Sequence, residues 1–234
     1  MQSMEMVIFG ASGGIGQYLI KHFRNDHKLF GTFFRHDPDT LETGSEYFKV
    51  NISDREAMNS FISKIISRLT HPVLIYTPGI SPNNVTHNYK DEDWDQTLSI
   101  NLTGAMLACR GILPRMREVG FGRIVFMSSV LSRISVPGTI AYSATKAALG
   151  AMARVIAVEN AKKGITANTL ALGYHNIGII REVPEPYLQK QVLPSIPQGK
   201  LGDPINILHG INFILQADYL TGATIDINGG IISV

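Results

Sequence analysis

The stretch that decides the fold is Glu5-Met-Val-Ile-Phe-Gly-Ala-Ser-Gly-Gly-Ile-Gly-Gln-Tyr-Leu-Ile20. Its pattern predicts a short buried strand over Glu5–Phe9, a tight turn over Gly10–Gly16, and an amphipathic helix that begins at Gln17. Glycines let a backbone approach a pyrophosphate closely, and a helix N-terminus favours an anion. The order of strand, turn and helix therefore predicts a dinucleotide-binding site, although an ordinary strand-to-helix turn would leave the same pattern.

The rest of the chain repeats this alternation of strands and helices. Apolar runs predict six further strands, over residues 28–34, 46–50, 73–76, 122–127, 165–172 and 224–227. No linker or shift in composition interrupts the alternation, so residues 1–234 are predicted to form a single dinucleotide-binding domain. Four prolines fall in the loop-rich stretch 174–202, which is predicted to be a substrate lid.

Composition and charge exclude several classes of protein. The chain has 234 residues, 44% of them hydrophobic, and a formal net charge of only +2. No run of lysine or arginine is present, so we expect no nucleic-acid partner. The seven histidines lack the spacing of metal ligands, and we expect no metal. No apolar run reaches the ~18 residues of a membrane span, so no membrane association is expected.

The single cysteine, Cys109, excludes an intramolecular disulfide and favours a reducing compartment. The apolar run near the N-terminus is too short for a signal peptide. A cytoplasmic location is therefore predicted. Cys109 itself lies in an apolar helical stretch, where a cysteine usually behaves as a small hydrophobic residue.

Two predicted helices contain residues that mark a helix start or an irregular point. Ser53 is predicted to cap the helix that follows it, with Glu56 completing a capping box. Residues 91–119 are predicted to be one long helical stretch, in which Asn101 and Gly104 are unfavourable. We expect Asn101 to satisfy backbone groups at a kink, to help build a site, or to do both.

Cofactor preference is expected at the end of the second strand. An acidic residue there would bind a ribose 2′-hydroxyl, whereas an arginine would accept a 2′-phosphate. The strand ends at Arg35, with no aspartate or glutamate before it. This favours NADP over NAD, unless Arg35 is simply a solvated surface residue.

A candidate proton-transfer site is formed by Ser129, Tyr142 and Lys146. The tyrosine and the lysine are four residues apart in a predicted helix and share one helical face. Ser129 ends the fifth strand, and ligands of open α/β sheets bind at the carboxyl ends of the strands. A phenol, an ammonium and a hydroxyl that converge can transfer a proton.

Several motifs now follow one another at compatible distances. They are Gly10–Gly16, Asp93-Trp94 with Asn101-Leu-Thr-Gly104, Ser128-Ser129, Tyr142-x-x-x-Lys146, Gly199–Pro204 and Tyr219–Gly230. Together they resemble the short-chain dehydrogenase/reductase family, and most closely its 3-oxoacyl-carrier-protein reductase-like members. The resemblance covers essentially the whole chain, and the ordered set is far more specific than any one motif.

The resemblance implies a fold and a set of roles. The fold is an α/β, Rossmann-type, doubly wound sheet of seven mostly parallel strands with helices on both faces. Tyr142 would be the general acid, Lys146 would lower the tyrosine's pKa and bind the nicotinamide ribose, and Ser129 would polarise the substrate oxygen. Asn101 would hold a water linked to Lys146. The residues implied for cofactor binding are Gly10, Ser12, Gly13, Gly14, Ile15, Gly16, Arg35, Asn51, Ile52, Gly79, Asn101, Tyr142, Lys146, Gly173 and Ile177.

The chain departs from the family pattern around the cofactor. Tyr76-Thr77-Pro78-Gly79 replaces Asn-Asn-Ala-Gly, Asn51 replaces an aspartate, and Leu172-Gly173 replaces Pro-Gly. The threonine expected after the sixth strand falls near Ile177, and Gly13 stands where many NADP-dependent members have a basic residue. These departures indicate a specialised branch with altered cofactor contacts.

The predicted activity is NADPH-dependent reduction of a ketone or 3-oxoacyl-type carbonyl, with NAD as a possible cofactor. The substrate would be a small molecule or linked to an acyl carrier. An alcohol dehydrogenase working in the oxidative direction and a non-catalytic NADP-binding regulatory protein are the alternatives. The resemblance also implies a homo-oligomer, a tetramer or dimer, formed through the two long helices and the last strand.

Overall fold

The computed structural model describes residues 3–37 and 44–232. Within these ranges, seven strands form one sheet in the order β3-β2-β1-β4-β5-β6-β7. Every neighbouring pair is parallel. The strands are Glu5–Phe9 (β1), Lys28–Phe33 (β2), Ser45–Lys49 (β3), Pro72–Tyr76 (β4), Gly122–Ser129 (β5), Ile165–Leu172 (β6) and Thr224–Ile227 (β7).

Helices cover both faces of this sheet. They are Gly14–Phe23 (α1), Arg55–Ile65 (α2), Asp91–Leu98 (α3), Gly104–Val119 (α4), Ile140–Asn160 (α5), Glu185–Tyr187 (α6) and Ile205–Gln216 (α7). The predicted doubly wound fold is confirmed, with the difference that the described sheet is parallel throughout rather than mostly parallel.

Successive side chains of a strand point to opposite faces of the sheet, so the core consists of two layers, one on each face. In β1, Val7 and Phe9 pack with residues of α2, α4 and α5, whereas Met6 and Ile8 pack with α1 and α7. Both faces of the central strands are therefore buried, which is why those strands are continuous apolar runs. The order of connection reverses between β1 and β4, and this reversal opens a crevice at the carboxyl ends of the strands.

The N-cap of α2 differs from the prediction. Asp54, not Ser53, caps the helix, and its Oδ1 accepts hydrogen bonds from the backbone N–H groups of Glu56 and Ala57 at 2.8 and 3.2 Å. The Oδ1 of Asn51 accepts from Ser53 N at 3.1 Å. This local turn holds Ser53 ahead of the helix and moves the start of α2 one residue along the chain.

Two predicted segments have more structure than their patterns indicated. Residues 91–119 form the predicted continuous helical stretch, in which the π-helical segment Ser99–Thr103 lies between α3 and α4. The stretch 174–202 contains α6 and several single helical turns, Gly178–Glu182, Leu188–Val192 and Leu193–Ser195, rather than an extended loop.

None of the helices in the described part of the chain is long and apolar enough to cross a lipid bilayer. The single domain predicted for residues 1–234 includes residues 1–2, 38–43 and 233–234, which lie outside the described residues.

Candidate active site

A cavity of about 800 Å³ lies in the crevice at the carboxyl ends of the central strands. It brings together most of the residues predicted for the site. Those that line it are Gly10, Ser12, Gly13, Gly14, Ile15, Arg35, Asn51, Ile52, Gly79, Ser129, Tyr142, Lys146, Gly173 and Ile177. Gly16 and Asn101 are buried behind its wall.

The glycine-rich turn has a shape that only glycine allows. Gly10 has a φ of +77°, in the left-handed region. A Cβ on Gly14 would lie 2.8 Å from the backbone nitrogen of Gly178, and one on Gly16 would collide with the carbonyl oxygen of Gly10. Gly16 therefore lets α1 pack on the turn, and it does not face the cavity.

The same turn fits a dinucleotide. No side chain caps the N-terminus of α1, whose first residues line the cavity. The first N–H groups of a helix have no partner within the helix and favour a phosphate. The cradle formed by Gly10–Gly14 thus has the form and the donors that a pyrophosphate requires.

The end of the cavity beyond β2 and β3 is the place for an adenosine. Arg35 is exposed there and lies beside Asn51 and Ile52 along the cavity wall. The amide oxygen of Asn51 is committed to the turn at Ser53. Its amide nitrogen and the second lone pair of that oxygen stay available to an adenine.

The departure at Tyr76–Gly79 has a structural role that the sequence did not reveal. The Thr77 hydroxyl donates to the carbonyl of Phe9 at 2.8 Å, which ties β4 to β1. The Tyr76 hydroxyl donates to the carbonyl of Ile100 in the π-helical segment at 2.5 Å. A Cβ on Gly104 would collide with that hydroxyl, so the glycine inside the helical stretch makes room for Tyr76.

Asn101 is fully buried in the π-helical segment. Its Oδ1 accepts from Ile80 N at 2.9 Å, and its Nδ2 donates to Ile80 O at 3.0 Å and to Thr145 Oγ1 at 3.1 Å. The asparagine thus both satisfies backbone groups at an irregular point of the helix and joins the loop after β4 to α5, next to Lys146. Its contact with a water remains a prediction.

Ser129, Tyr142 and Lys146 meet where β5 ends and α5 begins. The side chains of Ser129 and Tyr142 both line the cavity, and Ser129 is close enough to lower the pKa of the phenol. Lys146 Nζ lies 5.4 Å from the centre of the Tyr142 ring and donates to the carbonyl of Met127 at 2.8 Å. Ser128 Oγ donates in return to the carbonyl of Lys146 at 2.8 Å. These bonds anchor the first turns of α5 to the end of β5.

The protonation of this cluster differs from the expectation. Burial raises the pKa of Tyr142, the Ser129 hydroxyl opposes that rise, and the nearby phenol of Tyr174 adds to it. The lowering expected from Lys146 is absent. Its ammonium points to Met127 and lies beside the ring, and burial lowers the pKa of Lys146 itself to about 8. An ammonium that is bonded to Met127 and lies beside the ring is poorly placed to stabilise a phenolate.

The protonated phenol of Tyr142 and the hydroxyl of Ser129, both on the cavity wall, can each donate one hydrogen bond to an oxygen bound there. The site is therefore suited to giving a proton to an oxygen that gains negative charge. Gly79 adjoins it, since a Cβ there would lie 3.2 Å from Lys146 Nζ. Any side chain at position 79 would press on the lysine.

Sequence reasoning did not single out three further residues that line the cavity, Tyr174, His175 and Tyr187. Tyr174 and His175 follow Gly173 at the end of β6, so their position after a buried strand was an available indication. Burial raises the pKa of Tyr174 and lowers that of His175. Cys109 lies in the core, and burial raises the pKa of its thiol to about 12, so it is not a nucleophile.

Comparison with known proteins agrees with this geometry. The family model described as "Enoyl-(Acyl carrier protein) reductase" matches residues 34–232. The chain is 32% identical to an acetoacetyl-CoA reductase of Shinella zoogloeoides over 232 residues, with 96% of each chain covered. It is also 32% identical to a 3-oxoacyl-(acyl-carrier-protein) reductase of Rickettsia conorii, with 97% of this chain and 96% of the relative covered.

Solved structures show the same fold. A structure titled "ElxO with NADP Bound" superposes with a TM-score of 0.88 at 25% identity, covering 99% of both chains. A mutant of a Serratia marcescens short-chain dehydrogenase/reductase also gives a TM-score of 0.88, at 22% identity and 99% coverage of both chains.

The burial of Lys146 leads to a prediction about stability. The pKa of Lys146 falls from 10.5 to about 8 on folding, so the unfolded chain binds the proton more tightly. Lys146→Met should therefore raise the free energy of unfolding at pH 7 by about 1–2 kcal/mol, after allowance for the lost bond to Met127. Urea denaturation measures this change.

The gain should depend on pH in one direction. Wild type recovers stability as the pH rises from about 8 to 10.5, so the advantage of Lys146→Met should be complete below that window and vanish above it. Lys162→Met, at an exposed lysine, is the control and should show no such dependence. A Lys146→Met protein that is less stable than wild type at pH 7 would contradict the prediction.

Proposed function

The chain belongs to the short-chain dehydrogenase/reductase family, and we propose that it reduces the ketone of a 3-oxoacyl-type substrate to an alcohol with NADPH. The observation that carries the proposal is that Ser129, Tyr142 and Lys146 line the same cavity as the uncapped glycine turn of α1. The two named relatives, an acetoacetyl-CoA reductase and a 3-oxoacyl reductase, support this substrate class.

In this proposal, each residue has a defined task. The bound nicotinamide supplies a hydride to the carbonyl carbon. Tyr142 gives its proton to the oxygen that becomes an alkoxide, while the Ser129 hydroxyl donates a hydrogen bond to the same oxygen. Lys146 holds the start of α5 in place through Met127, and its ammonium, 5.4 Å from the centre of the Tyr142 ring, would return a proton to the phenol after the reaction.

The protonation of Tyr142 favours reduction over the oxidative alternative. Reduction starts from the neutral phenol, and burial, which raises the pKa of Tyr142, keeps that phenol protonated. Oxidation of an alcohol would need the phenolate, which this environment disfavours. A non-catalytic regulatory protein would bind NADP but reduce no ketone. A screen of 3-oxoacyl thioesters therefore distinguishes that alternative from a reductase.

The stretch 174–202 is proposed to be the substrate lid of a single domain. Apolar side chains from this stretch line the cavity, including Ile179, Val183 and Tyr187. Their apolar surface suits an acyl chain or another neutral group next to the reacting carbonyl.

NADP is proposed as the preferred cofactor, with NAD as a weaker one. Arg35 lies at the adenosine end of the cavity, where its guanidinium can pair with a 2′-phosphate through a charge-assisted hydrogen bond.

A homo-oligomer, a tetramer or dimer, is also proposed, as is a cytoplasmic location. Large apolar side chains on the outer faces of α4 and α5 are exposed, among them Met106, Val155 and Val158, the last at 85%. Tyr219, before β7, is fully exposed. Contiguous exposed apolar surface commonly marks an interface.

Tyr142→Phe tests the mechanism. Loss of the phenol hydroxyl should lower kcat/KM for acetoacetyl-CoA with NADPH by about a thousandfold, the range of positioned general acids. The Kd for NADPH, measured by fluorescence, should stay within about threefold of wild type, since the ring remains. Tyr219→Phe, at a fully exposed tyrosine, is the control. A Tyr142→Phe enzyme with a tenth of the wild-type rate or more would refute the assignment.

Arg35→Asp tests the cofactor preference. A carboxylate would repel a 2′-phosphate and accept a hydrogen bond from a 2′-hydroxyl, so the NADPH/NADH ratio of kcat/KM should fall by about a hundredfold. Lys64→Asp makes the same charge change at an exposed site on α2 and should leave the ratio unaltered. If the NADPH/NADH ratio of kcat/KM is unaltered in Arg35→Asp, Arg35 is not the residue that recognises the 2′-phosphate.

Val158→Glu tests the proposed assembly. Placing a charge at this exposed valine of α5 should lower the molar mass measured by light scattering, because a buried carboxylate in an interface would be unpaired. Val85→Glu, at an exposed valine in the loop before α3, should leave the mass unchanged. Wild type that elutes as a monomer would contradict the assembly.

A further inference from the structure

His175 is a buried histidine in the wall of the cavity for which the proposed reaction has no task. Only 5% of its surface is exposed, and it lies two residues after Gly173, at the end of β6. Buried imidazoles are kept where their polar atoms have partners. Its contacts therefore indicate what it does.

The histidine joins the two ends of the stretch 174–202. The backbone of His175 lies parallel to that of Gly202, with Asn176 N donating to Gly202 O at 2.9 Å and Gly202 N donating to Tyr174 O at 2.8 Å. The imidazole lies against the same glycine, because a Cβ on Gly202 would be 2.6 Å from His175 Cδ2 and 2.8 Å from Nε2. Gly202 has no side chain, and the ring fills that space.

The ring is also tied to the end of β6. His175 Nδ1 lies 3.1 Å from the carbonyl oxygen of Gly173. A carbonyl can only accept, so Nδ1 carries the proton and donates to it. Gly173 N in turn donates to Ile227 O of β7 at 2.8 Å. The lid is thus fastened to the sheet through Gly173 and to its own far end through Gly202.

The residues held by this clamp are those that close the cavity. Tyr174, directly before His175, is the phenol whose proximity raises the pKa of Tyr142. The carbonyl of His175 accepts from Ile177 N at 2.6 Å. Ile177 and Gly178 then cover the glycine turn, as shown by the 2.8 Å between a Cβ on Gly14 and Gly178 N.

The charge state of the ring agrees with this role. Burial lowers the pKa of His175, while the Gly173 carbonyl and the carboxylate of Asp203 oppose that shift. The titratable groups near it are Asp203, ahead of α7, and the phenol of Tyr174. A neutral ring needs one donor bond to be satisfied, and Nδ1 makes it.

We propose that His175 is a positioning residue that clamps both ends of the stretch 174–202, so that Ile177–Gly178 close over the cofactor turn and Tyr174 is held beside Tyr142. The inference rests on the proposed function for its kinetic part only. The clamp itself is a property of the folded chain and can be tested without turnover.

His175→Val removes the Nδ1 donor and the ring. The lid should then open more often, and trypsin should cut after the exposed Arg181 and Lys190 about fivefold faster in protein without cofactor. Cleavage after Lys162 and Lys163, exposed residues that follow α5, should keep its wild-type rate and reports global unfolding. His175→Asn offers an amide N–H to Gly173 and should recover part of the protection.

Gly202→Ala breaks the same contact from the other side. Its Cβ would displace the imidazole, so lid cleavage should rise as in His175→Val. Because both changes remove one contact, the double variant should be cut no faster than the faster single variant, whereas independent effects would multiply. His209→Asn, at an exposed histidine of α7, is the matched control.

The kinetic readout separates positioning from loss of fold. In His175→Val the KM for NADPH should rise about tenfold while kcat falls less than about threefold, since an open lid weakens cofactor binding more than the chemistry. Lid cleavage within about twofold of wild type, equal acceleration at Lys162 and Lys163, or multiplying effects in the double variant would each overturn the proposal. Wild type that reduces no 3-oxoacyl substrate would refute the proposed function, and the proteolysis would still decide the clamp.

Discussion

The candidate site depends on the hydrogen bond from the buried ammonium of Lys146 to the carbonyl of Met127. With the return bond from Ser128 to the Lys146 carbonyl, it joins the first turns of α5 to the last residues of β5. Ser129 and Tyr142 meet because the strand and the helix are held at this point. The arrangement costs free energy, since burial disfavours the charge on Lys146, and the surrounding sheet must supply that free energy.

A second network holds the other side of the lysine. Tyr76 at the end of β4 bonds to the π-helical segment, Asn101 within that segment bonds to Ile80 and Thr145, and Thr145 precedes Lys146. The motif Tyr76–Gly79 keeps only the final glycine of the family pattern. In the structure its side chains bind backbone carbonyls, so the residues that replace the usual asparagines support the scaffold. π-helical segments of this kind often lie at functional sites.

The strands were predictable because burial on both faces leaves continuous apolar runs, and the bounds predicted for β1, β6 and β7 agree with the structure. The prediction that Ser53 caps α2 was wrong, because the side chain of Asn51 accepts a hydrogen bond from Ser53 N and holds Ser53 in a turn before the helix. The expected effect of Lys146 on Tyr142 was wrong because sequence spacing puts two residues on one face without showing where the ammonium points. His175 was not singled out, since its partner Gly202 lies at the other end of the lid.

The sequence by itself determined the parallel doubly wound sheet, the glycine turn and the set of residues at the strand ends, because these follow from local periodicity and from residue types with few substitutes. Only the tertiary structure decided which groups share hydrogen bonds and which protons stay bound. Burial raises the pKa of Tyr142 and lowers those of Lys146 and His175, and burial is set by contacts between residues far apart in the chain. Desolvation is a property of the folded environment, which no single stretch of residues contains.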